Sequence, residues 1–227
     1  MATKPSILCI IPAKGKSTRI PGKNLKDLCG KPMISYILET AKASKGIDRI
    51  IVSTDSEDVK KVAEQYGVEV PFLRPAELTA DNVGTRDVLQ HSLEWLEAKE
   101  GYVPDYVLLL YVTSPLLKRE RVEEAIATAI ARDSDSVISG AYDKGHYWIE
   151  VEGGWVRLYP QKQLNSQYQV PLFVENGAIY LSKSKFIKKQ YVADKSDIVV
   201  MAEGENIDVD YPEDFAKVEE ILRRGVK

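Results

Sequence analysis

Five apolar residues, Ile7-Leu8-Cys9-Ile10-Ile11, stop abruptly at Pro12 and give way to a loop of small and cationic residues. A half-exposed strand alternates apolar and polar positions; this one does not, so both faces must be buried, as in a parallel sheet covered by helices on each side. The loop from Ala13 to Asn24 carries four cations, Lys14, Lys16, Arg19 and Lys23, together with Gly15, Gly22, Ser17 and Thr18. Like charges so close repel one another unless an anion neutralises them. Small residues let backbone N–H groups approach a ligand, and Lys and Arg offset phosphate charge. The loop therefore reads as a polyphosphate cradle, the alternative being an ordinary solvated connection. It matches neither G-x-x-x-x-G-K-[ST] nor G-x-G-x-x-G.

Downstream, strand and helix patterns alternate. Helices are predicted over Met33–Ser44, Glu57–Tyr66 behind an Asp55-Ser56 cap, Thr85–Ala98 and Arg119–Arg132. Strands are predicted over Ile50–Thr54, Val68–Phe72, Tyr106–Val112, Ser136–Ser139, Asn176–Leu181 and Asp197–Met201, with a closing helix near Pro212. This order implies an α/β fold, a mostly parallel Rossmann-like sheet with helices on both faces, in a single domain spanning 1–227. Ligands of such sheets sit beyond the carboxyl ends of the strands, where the cradle, Thr54-Asp55 and Thr113-Ser114-Pro115 fall. Between about 141 and 175 the pattern breaks into aromatics and amides, and Gly153-Gly154 separates two short runs as in a hairpin. That inserted arm is expected to serve dimerisation or the acceptor pocket, its aromatics favouring a homodimer contact for the hairpin.

The net charge of −3 argues against nucleic-acid or membrane-surface binding, which calls for a basic excess. No apolar run approaches the roughly 20 residues that span a bilayer, and no signal peptide is evident, so a cytoplasmic protein is expected. Cys9 and Cys29 make no disulfide framework. His91 lies on an apolar helical stripe and reads as packing. Arg74, ahead of Pro75, is either a ligand contact or a surface salt bridge.

Asp208-Val209-Asp210 is the second chemical feature. Alternate residues of an extended stretch point the same way, so two carboxylates converge and favour a hard cation such as Mg²⁺. Equally, one of them could cap the helix near Pro212.

The cradle P-A-x-G-x-S-T-R-x-P-G-K-N, Val52-Ser53-Thr54-Asp55, Leu73-Arg74-Pro75-Ala76-Glu77-Leu78, Thr113-Ser114-Pro115, Asn176-Gly177-Ala178-Ile179-Tyr180 and Ile207-Asp208-Val209-Asp210 occur in this order. In this the chain resembles the acylneuraminate cytidylyltransferases, the CMP-sialic acid synthetases and their legionaminic- and pseudaminic-type relatives. The resemblance runs from about residue 6 to 222 and is weakest over 141–175. It implies a nucleotide-diphospho-sugar transferase fold and transfer of CMP from CTP to the anomeric hydroxyl of an acidic nine-carbon sugar. It further implies a CTP pocket lined by Ala13, Lys14, Gly15, Ser17, Arg19, Lys23, Asn24, Arg74 and Thr85. Mg²⁺ would sit on Asp208 and Asp210, with Lys14, Arg19, Lys23 and Asp210 as the catalytic set. Sugar contacts would come from Tyr111, Lys162, Gln163, Asn176 and Tyr180.

Departures from the family pattern fall at several of these positions. Lys14 stands where the family usually shows Arg, keeping the charge but losing the bidentate fork. Arg19 fits a form of the loop closer to the 3-deoxy-manno-octulosonate cytidylyltransferases. Tyr111 replaces a Gln associated with the acceptor, and the Arg-Gln expected near 161–163 is altered, leaving Lys162 for the sugar carboxylate. The family's sugar-binding Lys has no clear counterpart around His146-Tyr147-Trp148. The alternatives are an octulosonate cytidylyltransferase, a metal-dependent glycosyltransferase and a nucleotide-binding regulator.

Overall fold

The computed structural model describes residues 4–80, 82–162, 165–202, 204–205 and 207–225. In chain order it comprises β1 (Ile7–Pro12), β2 (Asp27–Leu28), β3 (Lys31–Pro32), α1 (Met33–Ala43), β4 (Arg49–Ser53), α2 (Glu57–Gln65), α3 (Thr85–Glu100) and β5 (Tyr106–Leu110). These are followed by α4 (Arg119–Arg132), β6 (Ser136–Asp143), β7 (Tyr147–Val151), β8 (Gly154–Tyr159), β9 (Leu172–Lys183), β10 (Asp197–Val200) and α5 (Pro212–Gly225). Six strands form one sheet in the order β10-β6-β9-β5-β1-β4.

Strand β1 lies between β4 and β5, parallel to both, with Ile10 opposite Ile51 on one side and Leu109 on the other. Its alternate residues feed two cores. Ile7, Cys9 and Ile11 pack with α1, α2, α4 and α5 through Ile34, Ala63, Val122 and Phe215. Leu8 and Ile10 pack with α3 through Leu89 and Leu96. Each such aliphatic side chain, removed from water completely, contributes about 1.5–3 kcal/mol. The apolar run is thus explained by helices on both faces.

The sheet departs from full parallelism at β9, which runs antiparallel between β5 and β6. A register shift between Ile138 and Gly140 lets β6 and β9 continue as a two-stranded ribbon past the sheet. A Cβ on Gly140 would lie 2.2 Å from the Val174 carbonyl oxygen, so glycine is required where the ribbon crosses. The ribbon leads to the β7–β8 hairpin, a separate sheet turned at Gly153 (φ +91°).

The strand expected over Val68–Phe72 is reduced to single bridges, Ile51 with Glu69 and Thr54 with Leu73. Pro71 supplies no N–H to a ladder there, which explains the correction. Cys9 is buried and Cys29 exposed, and both are free thiols. Among the described residues no helix is long and apolar enough to cross a membrane.

Candidate active site

A cleft of about 250 Å³ opens beyond the carboxyl ends of β1, β4 and β5. One wall is the cationic loop. It is stapled to the end of β4 by the Ala13 N–H, which donates to the Ser53 carbonyl (2.9 Å), and by the Gly15 N–H, which donates to Asp55 Oδ1 (2.8 Å). Asn24 closes the loop by donating from Nδ2 to the Lys14 carbonyl (2.8 Å). A Cβ on Gly15 would come within 2.7 Å of Ser56 Cβ, so this close approach excludes any side chain. Ser56, rather than Asp55, caps α2 by accepting from the Val59 N–H, which leaves Asp55 for the loop. The N–H groups of Ala13 and Gly15, expected to face a ligand, are thus engaged in the scaffold. The side chains of Lys14, Ser17, Arg19, Lys23 and Asn24 line the cleft instead.

Arg74 and α3 form the facing wall. The Arg74 N–H donates to the Thr54 carbonyl (2.7 Å), and its guanidinium donates to the Ser53 hydroxyl (3.3 Å) and carbonyl (2.5 Å). The residue is 7% exposed, so it is no surface salt bridge. No carboxylate lies within ion-pair distance of it among the described residues. Burial lowers its pKa and the charge of Asp55 counters this, yet a guanidinium stays protonated throughout the working pH range. A buried cation whose hydrogen-bond partners are all neutral leaves room for an anion. His91 packs edge-on against Phe72 with ring centroids 4.8 Å apart, as its place on an apolar stripe suggested.

Thr85 opens α3, with Oγ1 2.7 Å from the Tyr111 hydroxyl. Burial pushes the Tyr111 pKa up, which keeps the phenol protonated. Its ring meets Tyr180 edge-on at 6.2 Å, and the Tyr180 hydroxyl donates to Glu175 (3.1 Å).

The aspartates lie beside the cleft, tied to the cations that line it. Val209 is buried, its N–H donating to the Thr113 carbonyl (2.8 Å), while Asp208 and Asp210 remain accessible on either side of it. Asp210 lies between two cations, 2.7 Å from Arg19 Nη1 and 3.3 Å from Lys23 Nζ. Lys23 also donates to the Val209 carbonyl (2.8 Å). Enclosure by the surrounding walls raises the pKa of Asp208, a hydrogen bond from Thr113 lowers it, and the charge of Asp210 raises it further. The capping task falls to Asp214, whose carboxylate accepts from the N–H groups of Asp210 (3.2 Å) and Tyr211 (2.9 Å). This frees both aspartates for other work.

Among the described residues no three or more His, Cys, Asp or Glu side chains gather as a metal cluster. A pair of carboxylates at the edge of a cationic cleft nonetheless suits Mg²⁺, which takes one or two protein carboxylates and completes its shell with phosphate oxygens and water. Asp208 and Asp210 would hold it.

Asp208 lines a second cavity of about 470 Å³, with Tyr142, Asp143, Glu175 and Asn176. The structure therefore brings Lys14, Ser17, Arg19, Lys23, Asn24, Arg74, Thr85 and Tyr111 to the first cavity, and Asn176 to the second. Tyr111, expected among the sugar contacts, lines the cationic cleft with Thr85. Lys162 is exposed beyond β8 and lines neither cavity, and Gln163 lies outside the described residues. Asp55 and Thr113, placed past strand ends from the sequence, were given no role there, and Tyr211 was not singled out. The ring of Tyr211 lies 5.1 Å from the Arg19 guanidinium, and no sequence signal marks it.

The chain matches the sequence model of the family described as cytidylyltransferase over residues 8–204. It is 32% identical to a pseudaminic acid cytidylyltransferase of Campylobacter jejuni over 93% of this chain and 94% of that one. It is also 32% identical to a CMP-N,N'-diacetyllegionaminic acid synthase of Legionella pneumophila, over 95% and 96% of the two chains. Among solved structures, a CMP:2-keto-3-deoxy-manno-octonic acid synthetase complexed with CTP superposes with a TM-score of 0.70 at 19% identity. That likeness covers 97% of this chain and 99% of the other, and it concerns the fold. With its cationic loop beyond β1 and its mostly parallel sheet, the chain belongs to the cytidylyltransferase family.

Proposed function

We propose that the protein transfers CMP from CTP to the anomeric hydroxyl of an acidic nine-carbon sugar, releasing pyrophosphate. The observation that carries this reading is a pair of neighbouring cavities joined through the hydrogen bond between Thr113, which lines the first, and Asp208, which lines the second. The first is a cationic cleft fit for a triphosphate, and the second is large enough for a sugar. The names of the Campylobacter and Legionella relatives support a nonulosonate acceptor.

In this mechanism Lys14, Arg19, Lys23 and Arg74 bind the triphosphate and offset charge that develops on the departing pyrophosphate. Tyr111 and Thr85 shape the floor beneath the nucleotide. Asn176 orients the sugar from the neighbouring cavity, so that its hydroxyl faces the α-phosphorus in line. Bound at Asp208 and Asp210, Mg²⁺ would lower the pKa of that hydroxyl and screen the phosphates. The exposed β7–β8 hairpin joins two copies into a homodimer. The reaction is assigned to the cytoplasm, where free thiols such as Cys9 and Cys29 persist.

The test is pyrophosphate release from CTP with Mg²⁺ against a panel of nonulosonic and octulosonic acids, with UTP, ATP and GTP as controls. Release that requires CTP and a nonulosonic acid is expected. Release with the octulosonic acid alone would reassign the acceptor, and CTP binding without release in any mixture would leave a nucleotide-binding protein.

A further inference from the structure

Arg19 and Lys23 touch the same carboxylate in different ways. Lys23 is well buried, with its side chain 12% exposed, and is anchored by the Val209 carbonyl as well as by Asp210. Its ammonium is held by backbone and has little freedom to leave. Arg19 is 49% exposed at the side chain, and its described partners are Asp210 and the ring of Tyr211. Its guanidinium carries the shorter of the two ion-pair contacts, and its position on an exposed loop leaves it free to move. The carboxylate that the proposed reaction needs for a metal is therefore covered by a displaceable cation, and Tyr211, next to Asp210 in the chain, presents an aromatic face to that cation.

The geometry points to Arg19 as a latch on Asp210, held by Tyr211, that keeps divalent metal off the aspartate pair until a nucleotide triphosphate draws the guanidinium away. This inference rests on the reading of Asp208 and Asp210 as metal-binding residues and adds the order of events. The arriving phosphates offer Arg19 stronger, bidentate partners than one carboxylate oxygen does. As the guanidinium moves to them, Asp210 gains a free oxygen at the moment a metal is useful. By linkage, the nucleotide then raises metal affinity and the metal raises nucleotide affinity by the same factor. Tyr211 acts here as a positioning residue. It does not touch the reacting atoms; it sets how firmly Arg19 rests on Asp210.

The experiment is a titration of the full chain with Mn²⁺ followed by electron paramagnetic resonance, without nucleotide and with CTP in the absence of acceptor. Removing the latch in Arg19→Ala should tighten nucleotide-free Mn²⁺ binding by roughly fivefold, the worth of a displaced ion pair. Tyr211→Ala should tighten it by about twofold, since it loosens the cation without removing it. Lys16→Ala removes an equal charge from an exposed position of the same loop and should leave the affinity unchanged. A rise in Lys16→Ala equal to that in Arg19→Ala would replace the latch with general charge repulsion. Unchanged affinity in both Arg19→Ala and Tyr211→Ala, with Mn²⁺ still binding in the presence of CTP, would overturn the latch and leave the metal assignment standing. If Asp210→Asn and the unaltered protein bind Mn²⁺ equally with CTP, the metal assignment itself fails, and the latch with it.

Discussion

The β1–β4–β5 half of the sheet and the β7–β8 hairpin are built from similar residues put to opposite uses. In the sheet, Leu8, Ile10, Ile51 and Leu109 are at most 1% exposed, and the charged groups gather just past the strand ends. In the hairpin, Trp148, Ile149, Trp155, Val156 and Leu158 are between 48% and 64% exposed. Among the described residues the hairpin strands pair only with each other, Ile149 opposite Val156 and Glu150 opposite Trp155. An isolated two-stranded hairpin is marginal in water, and an apolar one invites a partner. The sheet half thus holds a cationic cleft built within one chain, whereas the arm carries exposed apolar surface. Substitutions in the two regions should separate binding and chemistry from association.

The largest separation is expected at Asp210. Asp210→Ala removes the carboxylate shared by Arg19 and Lys23, and turnover should fall about 10³-fold or more, the scale of a lost group that stabilises transition-state charge. Thermal unfolding should move by only a few degrees, because the backbone there is tied by Val209 to Thr113 and by Asp214 to the helix start. Near-normal turnover would dissolve the assignment.

Arg74→Met comes next. The guanidinium should be worth about 100-fold in kcat/KM for CTP, as a buried charge-assisted contact to phosphate. Stability should hold within about 1 kcal/mol, since replacing a buried charge by an apolar group of similar length is often neutral. The Ser53 carbonyl, its acceptor, keeps the hydrogen bond from Ala13. A loss of stability with unchanged kcat/KM would make Arg74 a structural strut.

How much of this was legible in the sequence depends on range. The helices α1, α2 and α4 and the strand β1 followed from local periodicity, because each buries a stripe that its own residues define. The cationic cradle was visible because like charges crowd within one loop. The direction of β9 was not legible, since apolar runs read alike in either sense and the neighbours that fix it lie far off in the chain. Asp208-Val209-Asp210 read equally as metal ligands or as a cap; the capping contacts come from Asp214, four residues on, reaching back to the helix start. The depth of Arg74 depends on Ser53, from a separate strand, and so escaped local reading.

Glu205 offers a prediction about the scaffold rather than the chemistry. Its side chain, 9% exposed, pairs with Lys118 (2.6 Å) and Arg121 (2.9 Å) at the start of α4 and pins the turn that leads into the aspartates. Burial alone would raise its pKa, but these ion pairs and the Ala202 N–H outweigh it and hold the group down at about 2, from an ordinary 4.5. A depressed carboxylate stabilises the fold fully above its unfolded pKa, and that contribution is lost as pH falls through the folded one. Glu205→Gln should therefore cost on the order of 2–3 kcal/mol at pH 7. The gap from the unaltered protein should narrow from about pH 5 downward and close near pH 2, as followed by urea unfolding. A gap independent of pH would show that packing, not charge, holds the turn.

The smallest effect on nucleotide binding should come from the arm. Ile149→Asp places a charge where Ile149 and Val156 face each other on the exposed ribbon. If that face meets a second copy, burying an unpaired carboxylate there opposes association, and light scattering should show the mass of the assembly halved. Among the described residues the cationic cleft is lined by residues 12 to 113 of one chain, none of them on the arm. CTP affinity should accordingly stay within about twofold of the unaltered protein, below 0.5 kcal/mol. A large loss of CTP affinity in this variant would mean that the arm reaches the nucleotide, and the division between a self-sufficient cleft and an associative arm would have to be redrawn through the cavity that Asp208 shares with Asn176.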